Sequence, residues 1–507
     1  MLLASVAAAQ WSSDPGSPVV AGPSLPSGLD RPVLAHGSDG ATWIAWVDDQ
    51  CFGSLRAQRI DASGNVLVDG GLLVETLNAC VSTTALLEVS DDGGAVVARA
   101  DFVDAGPGMM EATIARIASD GSAGWIDPIL APTHPTPAIG ALHALLGGDV
   151  LVAWRSGASI WVSRHGALGE AVWSAPTEIP TINGSNMRLL GVADDGAGGV
   201  FVVWDHPLGP YLRRIRAARV LADGSLAWES IFVDVSGTPE SSRHSIPVFA
   251  PDGLGGIAVF YTEGRESSGT IADLLMQRVS ADGSLVFQPS GAQVSLGNTS
   301  QFDPRIAFDA QSGDFMVAWR DNTGATSTLR AQRLGVEGER RWGDAGVEIA
   351  DLGGLGGGVS GYDTIWDGAR MLVSHANAPG TGAGVVVHRI AGNGAVSAGP
   401  WVISDASSAS RVRIVPSGNA SIVSWIRDDA GIPDSVVAQR VNANGQLGPV
   451  SLLGDLNGDC LINFTDLNSV LGAFGSTDPS GDANGDGITD FSDLNLVLSN
   501  FGRTCDE

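Results

Sequence analysis

The chain has 507 residues, a formal net charge of −28 and 44% hydrophobic residues. Its basic side chains are all arginine, with no lysine. So acidic a surface argues against nucleic acid or an anionic membrane as the main partner, while the apolar content can support a full core.

Residues 1–10, MLLASVAAAQ, are short and apolar and end in an A-x-A-like site, which reads as the remnant of a signal peptide. Residues 11–30 are rich in Ser, Pro and Gly and read as an extended lead-in. No stretch is long and apolar enough to span a bilayer, so the expected location is secreted or cell-surface.

Residues 31–453 repeat one pattern. A Gly/Asp turn leads into an apolar strand ending near Trp, then a variable loop. A second strand follows and ends in Ala-Gln-Arg, as in ATWIAWVDD with SLRAQRI or DFMVAWRDN with LRAQRL. The arginine recurs as Arg59, Arg116, Arg164, Arg219, Arg278, Arg333, Arg389 and Arg440. Copies of roughly 55 residues, with about four short strands each, have the size of propeller blades. The fold expected is mainly β, a seven- or eight-bladed β-propeller-like repeat domain. How the last copy meets the first is not legible.

Trp46, Trp154, Trp204, Trp319 and Trp425 fall at the end of an apolar strand and read as packing between blades. Asp48, Asp49, Asp205, Asp321, Asp428 and Asp429 follow them and read as turn formers. The repeated arginine reads as an anchor for a backbone group or a neighbouring Asp, because its fork offers several directed donors. The eight histidines show no metal spacing. No G-x-S-x-G, H-E-x-x-H or P-loop motif occurs. The repeats resemble the Trp and Gln-Arg repeats of secreted bacterial proteins, which implies architecture rather than activity.

From Gly454 onward the chain changes character. Counting from Asp455, positions one, three, five, nine and twelve are Asp455, Asn457, Asp459, Asn463 and Asp466, with the Leu461 carbonyl at seven. A second loop repeats this with Asp482, Asn484, Asp486, Asp490 and Asp493, and Ile488 at seven. Hard oxygen donors at these positions wrap Ca2+ in an EF-type loop, so two Ca2+ ions are expected. Each loop precedes a helical stripe: Phe464, Leu467, Val470, Leu471 and Phe474, then Phe491, Leu494, Val497, Leu498 and Phe501. These stripes read as the core of a small α-helical domain, 454–507, too short to rely on apolar burial alone. Metal binding would then be folding energy.

Cys51 and Cys80 lie in the first repeat, and Cys460 and Cys505 in the tail. This grouping suits two disulfides in an oxidising space. Zinc is the rival reading, although C-x-x-C pairs are absent.

The tail resembles a dockerin domain of the duplicated calcium-loop type, most closely variants ending secreted proteins of planctomycete-like bacteria. The resemblance covers about a tenth of the chain and implies the calcium ligands just given. It also implies a docking surface at Phe464, Thr465, Asn468, Phe491, Ser492 and Asn495, with a cohesin-like or cell-surface protein as partner. Phenylalanine at the loop sites departs from the hydroxyl pairs of cellulosomal dockerins.

The leading expectation is a secreted, non-catalytic binding or scaffold protein, docked through the tail and able to hold a glycan. The alternative is a carbohydrate-active enzyme, a glycoside hydrolase or lyase, carried by the same tail. Two carboxylates at the channel mouth at glycosidase separation, ~5–9 Å, flanked by exposed aromatics, would mark the enzyme. A mouth of mixed loops without convergent acids would exclude it.

Overall fold

A computed structural model describes the chain except residues 1–10, 23–31, 48–53, 77–85, 91, 103–109, 130–137, 146, 157, 182–186, 209–212, 237–246, 265–271, 289, 298, 323–325, 355–360, 377–383, 406–408, 418–419, 428–433, 444, 449–453, 457–460, 477–479, 485–487 and 504–507. Eight four-stranded antiparallel sheets form the repeats, so the blade number is eight. The inner strands of blades 1 to 8 are Val33–His36, Leu86–Val89, Ala138–Ala144, Arg188–Asp194, Val248–Pro251, Ser300–Asp309, Tyr362–Trp366 and Ala409–Ser417. Each touches the inner strand of the next blade, and that of blade 8 touches that of blade 1, so the ring closes.

The closure uses the lead-in segment. Val19–Val20 pairs with Ser435–Asn442 and becomes the outermost strand of blade 8. The ring is therefore held by a sheet built from both ends of the propeller sequence.

The repeated residues act between blades. Arg59, Arg116, Arg164, Arg219, Arg278 and Arg333 sit on third strands and ion-pair with Asp39, Asp92, Asp149, Asp195, Asp252 and Asp314 of their own blades. The same guanidinium then reaches the following blade: Arg219 donates to the Ala281 carbonyl at 3.0 Å and Arg333 to the Gly392 carbonyl at 3.3 Å. In blades 3, 4 and 6 a second tryptophan, on the outer side of the blade, shares that acceptor. Trp228 Nε1 donates to Ala281 O and Trp342 Nε1 to Gly392 O, each at 3.0 Å. The ring of Trp342 lies over Gly394, which has φ 88° in its turn and where a Cβ would come within 2.8 Å of the indole. A carbonyl held by an arginine and an indole, under a stacked ring, staples one blade to the next.

Blade 8 has no such tryptophan of its own. Trp11 supplies it, donating from Nε1 to Ala62 O at 3.0 Å, the carbonyl that Arg440 also takes at 3.0 Å. Gln439 holds Ser12 O at 2.8 Å, just as Gln277 and Gln332 hold turn carbonyls in their own blades. The other tryptophans, Trp46, Trp154, Trp204, Trp319 and Trp425, are wholly buried between blades, in line with the packing expected of them.

Asp205 and Asp321 are not turn residues. They lie within second strands, buried, where Asp205 meets Arg188 and Arg213, and Asp321 accepts from Trp319 Nε1 at 3.2 Å. Their strands run longer than the sequence reading allowed, because the charges are paired within the fold. Asp48, Asp49, Asp428 and Asp429 lie outside the described residues.

The tail folds into helices α1, Phe464–Ala473, and α2, Phe491–Ser499. Their core is smaller than the apolar stripes suggest: Ile462, Val470 and Val497 are buried, with Leu467 and Leu494 partly so. Phe464, Leu471, Phe474, Phe491, Leu498 and Phe501 face solvent. The outer rings cover one another instead, Phe464 edge-on to Phe501 and Phe474 edge-on to Phe491.

All four cysteines, Cys51, Cys80, Cys460 and Cys505, lie outside the described residues, and no disulfide occurs among the described ones. The two-disulfide expectation thus concerns residues outside those described. Among the described residues no helix is long and apolar enough to cross a membrane.

Closure by the lead-in gives a direct expectation. Trp11→Ala should lower unfolding stability by about 3 kcal/mol, the usual cost of emptying a buried tryptophan site. Urea midpoints would register the loss. An unchanged midpoint would mean that the ring does not depend on this contact.

Candidate active site

The arginine staples sit where inner strands end. At the opposite face the inner strands begin, and that end of the ring is irregular. The inner strands of blades 3, 4, 6 and 8 each carry a register shift near their start. In blades 6 and 8 the shift places a non-glycine residue in left-handed backbone, Asp303 at φ 52° and Arg411 at φ 58°. Such conformations cost about 1–3 kcal/mol each and persist only where neighbours enforce them. The neighbour of Asp303 is identifiable: the Tyr362 hydroxyl, from blade 7, donates to its carbonyl.

Three adjacent inner strands thereby bring charge together. Blade 6 contributes Asp303 and Arg305, blade 7 Tyr362 and Asp363, and blade 8 Arg411 and Arg413. Arg320, on the second strand of blade 6, reaches Asp303 at 3.4 Å. The Arg305 guanidinium lies 5.5 Å from the centre of the Tyr362 ring. Tyr362 is buried, and its hydroxyl pKa is pushed up, first by burial. It therefore acts as a support that fixes the bulge, and it stays protonated.

Asp363 differs. Its carboxylate accepts the Thr364 N–H at 3.0 Å and the Ile414 N–H of blade 8 at 3.2 Å. Burial pushes its pKa up, and this outweighs the lowering by Arg413 and Arg305. Asp363, with its raised pKa, and the more exposed Asp303 both act on Tyr362, and a carboxyl with a raised pKa suits a general acid.

Other titratable groups are buried on the inner strands and within blade 7. Glu88, on the inner strand of blade 2, has its pKa pushed up to about 7 by burial. His143, on that of blade 3, is pushed down by burial, against an opposing pull from Asp194 of blade 4. In blade 7, His375 and His388 stack with centroids 5.1 Å apart and Nε2 atoms at 3.1 Å. Burial pushes both down, His388 to about 4. They occupy the register positions held elsewhere by the buried Trp and the strand Gln. Sequence reasoning treated each histidine as ordinary; the signal it passed over was the simultaneous loss of both repeat residues in one copy.

In the tail, Asn463 and Asp490 cap the helices, and Asp466 and Asp493 are wholly buried. Asp466 accepts from Leu456 N at 2.8 Å and Asn463 N at 2.9 Å; Asp493 accepts from Asn484 N at 3.0 Å and Asp490 N at 2.7 Å. Burial raises the Asp493 pKa, but these backbone donors win and hold it low. Each loop thus wraps a buried carboxylate bonded to backbone N–H groups. Arg503 is the lone basic side chain from Gly454 onward. Buried carboxylates in so acidic a segment fit a hard divalent cation as counter-charge. Asp455 and Asp482 are half-buried beside them, and Leu461, Asn484 and Ile488 are exposed. Asn457, Asp459 and Asp486 lie outside the described residues. Phe464, Thr465, Asn468, Phe491, Ser492 and Asn495 are all at the surface.

No protein-family model and no curated protein matches the chain. Among solved structures it is similar to puromycin hydrolase, with TM-score 0.46, 17% identity and 83% of this chain covered, and it spans 61% of that protein's length. It is also similar to an ulvan lyase of a polysaccharide lyase family, with TM-score 0.48, 10% identity, 75% of this chain and 96% of that one. An α-L-arabinofuranosidase of Fusarium graminearum in complex with arabinobiose aligns with TM-score 0.36, 10% identity, 60% of this chain and 92% of that one. At these values the likeness is one of fold.

The expectation of a non-catalytic propeller finds no counterpart among these structures, which are named as a hydrolase, a lyase and a glycosidase; they share a fold with this chain and assign it no activity. At the channel mouth Asp303 and Asp363 both act on Tyr362, Asp303 from blade 6 and Asp363 from a carboxylate bonded to blade 8. They escaped the sequence reading because they belong to different repeats.

The Glu88 carboxyl yields a pH test. Its pKa is higher folded, about 7, than the ordinary 4.5, so the fold favours the protonated form. Stability is full below the ordinary value, falls as pH rises between the two, and levels off above the folded value. Glu88→Gln should remove that fall. The variant should gain on the order of 2 kcal/mol over wild type at about pH 8 and little at about pH 4. Urea unfolding at both pH values would check this; an equal shift at both would contradict it.

Proposed function

We propose that the propeller is a glycan-cleaving enzyme whose reaction takes place at the mouth over blades 6, 7 and 8. The observation that carries this reading is the meeting of Asp303 and Asp363 around Tyr362, under Arg305, Arg320 and Arg413. Asp363, protonated more readily than an ordinary aspartic acid, gives its proton to the glycosidic oxygen as the C–O bond breaks. Asp303, on the exposed side and steadied by Arg320, takes a proton from the attacking water, whose oxygen forms the new bond to the sugar carbon. Tyr362 holds the bulge that sets the Asp303 backbone and is a positioning residue.

The tail is proposed to be a calcium-stabilised, dockerin-like module that delivers the propeller to a cohesin-like or cell-surface partner outside the cell. The pseudo-repeated surface of Phe464, Thr465 and Asn468 with Phe491, Ser492 and Asn495 supports the docking role. Asp455, Asn457, Asp459, Asn463 and Asp466 would hold one Ca2+ with the Leu461 carbonyl. Asp482, Asn484, Asp486, Asp490 and Asp493 would hold the other with that of Ile488. Bound Ca2+ supplies the counter-charge that lets the loops bury their carboxylates.

Reducing-end release from a panel of plant and algal polysaccharides tests the enzyme. Asp363→Asn and Asp303→Asn should each lower kcat by about 100-fold or more with folding retained. Ultraviolet absorbance of an unsaturated product would reveal elimination in place of hydrolysis. Full activity in both variants would refute the assigned roles.

Calorimetric titration of the whole chain with CaCl2 tests the tail. Two bound ions are expected, falling to one in Asp466→Asn or Asp493→Asn. Excess Ca2+ over EGTA should stabilise the tail by about 2–3 kcal/mol at a hundredfold over Kd. No heat of binding and no shift in melting would refute it.

A further inference from the structure

Blade 4 carries charge that the proposed reaction does not use. Its buried Asp205 is shared by two arginines, with Arg188 Nη2 at 3.2 Å and Arg213 Nη1 at 3.0 Å, both on the same oxygen. On the other face of the blade, Asp234 is shared by Arg214 Nη1 and Arg216 Nε, each at 2.8 Å. Arg216 lies over the Phe232 ring at 4.4 Å and is nearly buried, which fixes the second cluster in place. Each cluster therefore has two cations for one anion. The surplus guanidinium surface points outward: the Arg188 and Arg213 side chains are 49% and 41% exposed.

This surplus stands out in a chain of net charge −28. It lies at the end of blade 4 where the inner strand begins, the same face as Asp303 and Asp363. In a closed ring of eight, blade 4 faces blade 8 across the channel. Guanidinium pairs present forked donors that match carboxylate and sulfate oxygens. A neutral sugar would take hydrogen bonds from these guanidiniums but no charge attraction. Basic groups on this rim also steer a polyanion to the mouth against the repulsion of the acidic surface.

We propose that the substrate is an acidic glycan chain, with repeated carboxylate or sulfate groups, that lies across the mouth. Acidic units of the chain rest on Arg213 and Arg214, on the two faces of blade 4, while the scissile bond lies over blades 6 to 8. The inference rests on the mouth being the glycan-binding end, and its test reads binding rather than cleavage.

The whole chain carrying Asp303→Asn, which keeps the ligand intact, is titrated with polygalacturonate, dextran sulfate, neutral dextran and a single-stranded oligonucleotide. Polygalacturonate isolates the carboxylate and dextran sulfate the sulfate. At least one of the two should bind, weaken with added NaCl, and bind roughly tenfold or more tighter than dextran and the oligonucleotide. Adding Arg213→Gln with Arg214→Gln should weaken that binding about fivefold or more. Asp205 keeps Arg188 and Asp234 keeps Arg216 in this variant, so its fold has no newly unpaired acid, and an unchanged melting temperature verifies that. Should it melt early, Arg213→Lys with Arg214→Lys serves instead, expected to keep salt-sensitive binding at lower affinity. Dextran or the oligonucleotide binding as tightly, or acidic glycans binding the glutamine variant as tightly as its parent, would overturn the proposal. Acidic-glycan binding without any cleavage by the wild-type chain would leave this inference standing and refute the enzymatic reading alone.

Discussion

The structure depends on one interaction, the arginine that ends each third strand. Each of the first six neutralises an aspartate in its own blade, and the series also reaches into the following turn, as Arg219 does at Ala281 and Arg440 at Ala62. A buried arginine is tolerable only if its charge and its donors are both used, and this geometry uses both. The indole that shares the carbonyl and stacks on the turn glycine fixes the distance between blades. Where the indole recurs, with Trp11 supplying it for blade 8, the same contact ties neighbouring blades, and the eighth blade meets the first.

That regularity at one face permits irregularity at the other. A ring already held by its staples can carry strained residues, and Asp303 and Arg411 are such residues. Each lies at a register shift, where the inner strand stops following the repeat. Tyr362 spans blades 7 and 6 to hold one of them. The consequence is electrostatic: carboxylates and guanidiniums from three blades gather at this rim, where burial pushes the pKa of Asp363 up.

The repeat period, the Arg series from Arg59 to Arg440 and the packing role of Trp46 and its equivalents were legible in the sequence, since each copy restates them. Trp11 was not, because it sits nearly the whole chain away from the blade it completes. Composition around it reads as loop, and only ring closure assigns it. Asp205 and Asp321 were taken for turn residues because nothing local reveals a partner such as Arg188 on another strand. The mouth was invisible for a related reason: Asp303, Tyr362, Asp363 and Arg413 come from three copies and fall where the pattern breaks. The helix positions of the tail were legible, but the division of their apolar residues was not. Periodicity places Phe464 and Val470 on one stripe, while only Val470 is enclosed.

The central claim is that sugar reacts over blades 6 to 8. It is tested most directly by a crystal structure of the Asp303→Asn protein with an acidic oligosaccharide bound. The account requires a glycosidic oxygen within hydrogen-bond reach of the Asp363 carboxyl, with Arg305 and Arg413 on the same sugar. An oligosaccharide seated at the opposite face, or one at this mouth with Asp363 still closed off behind the Thr364 and Ile414 N–H groups, would contradict it.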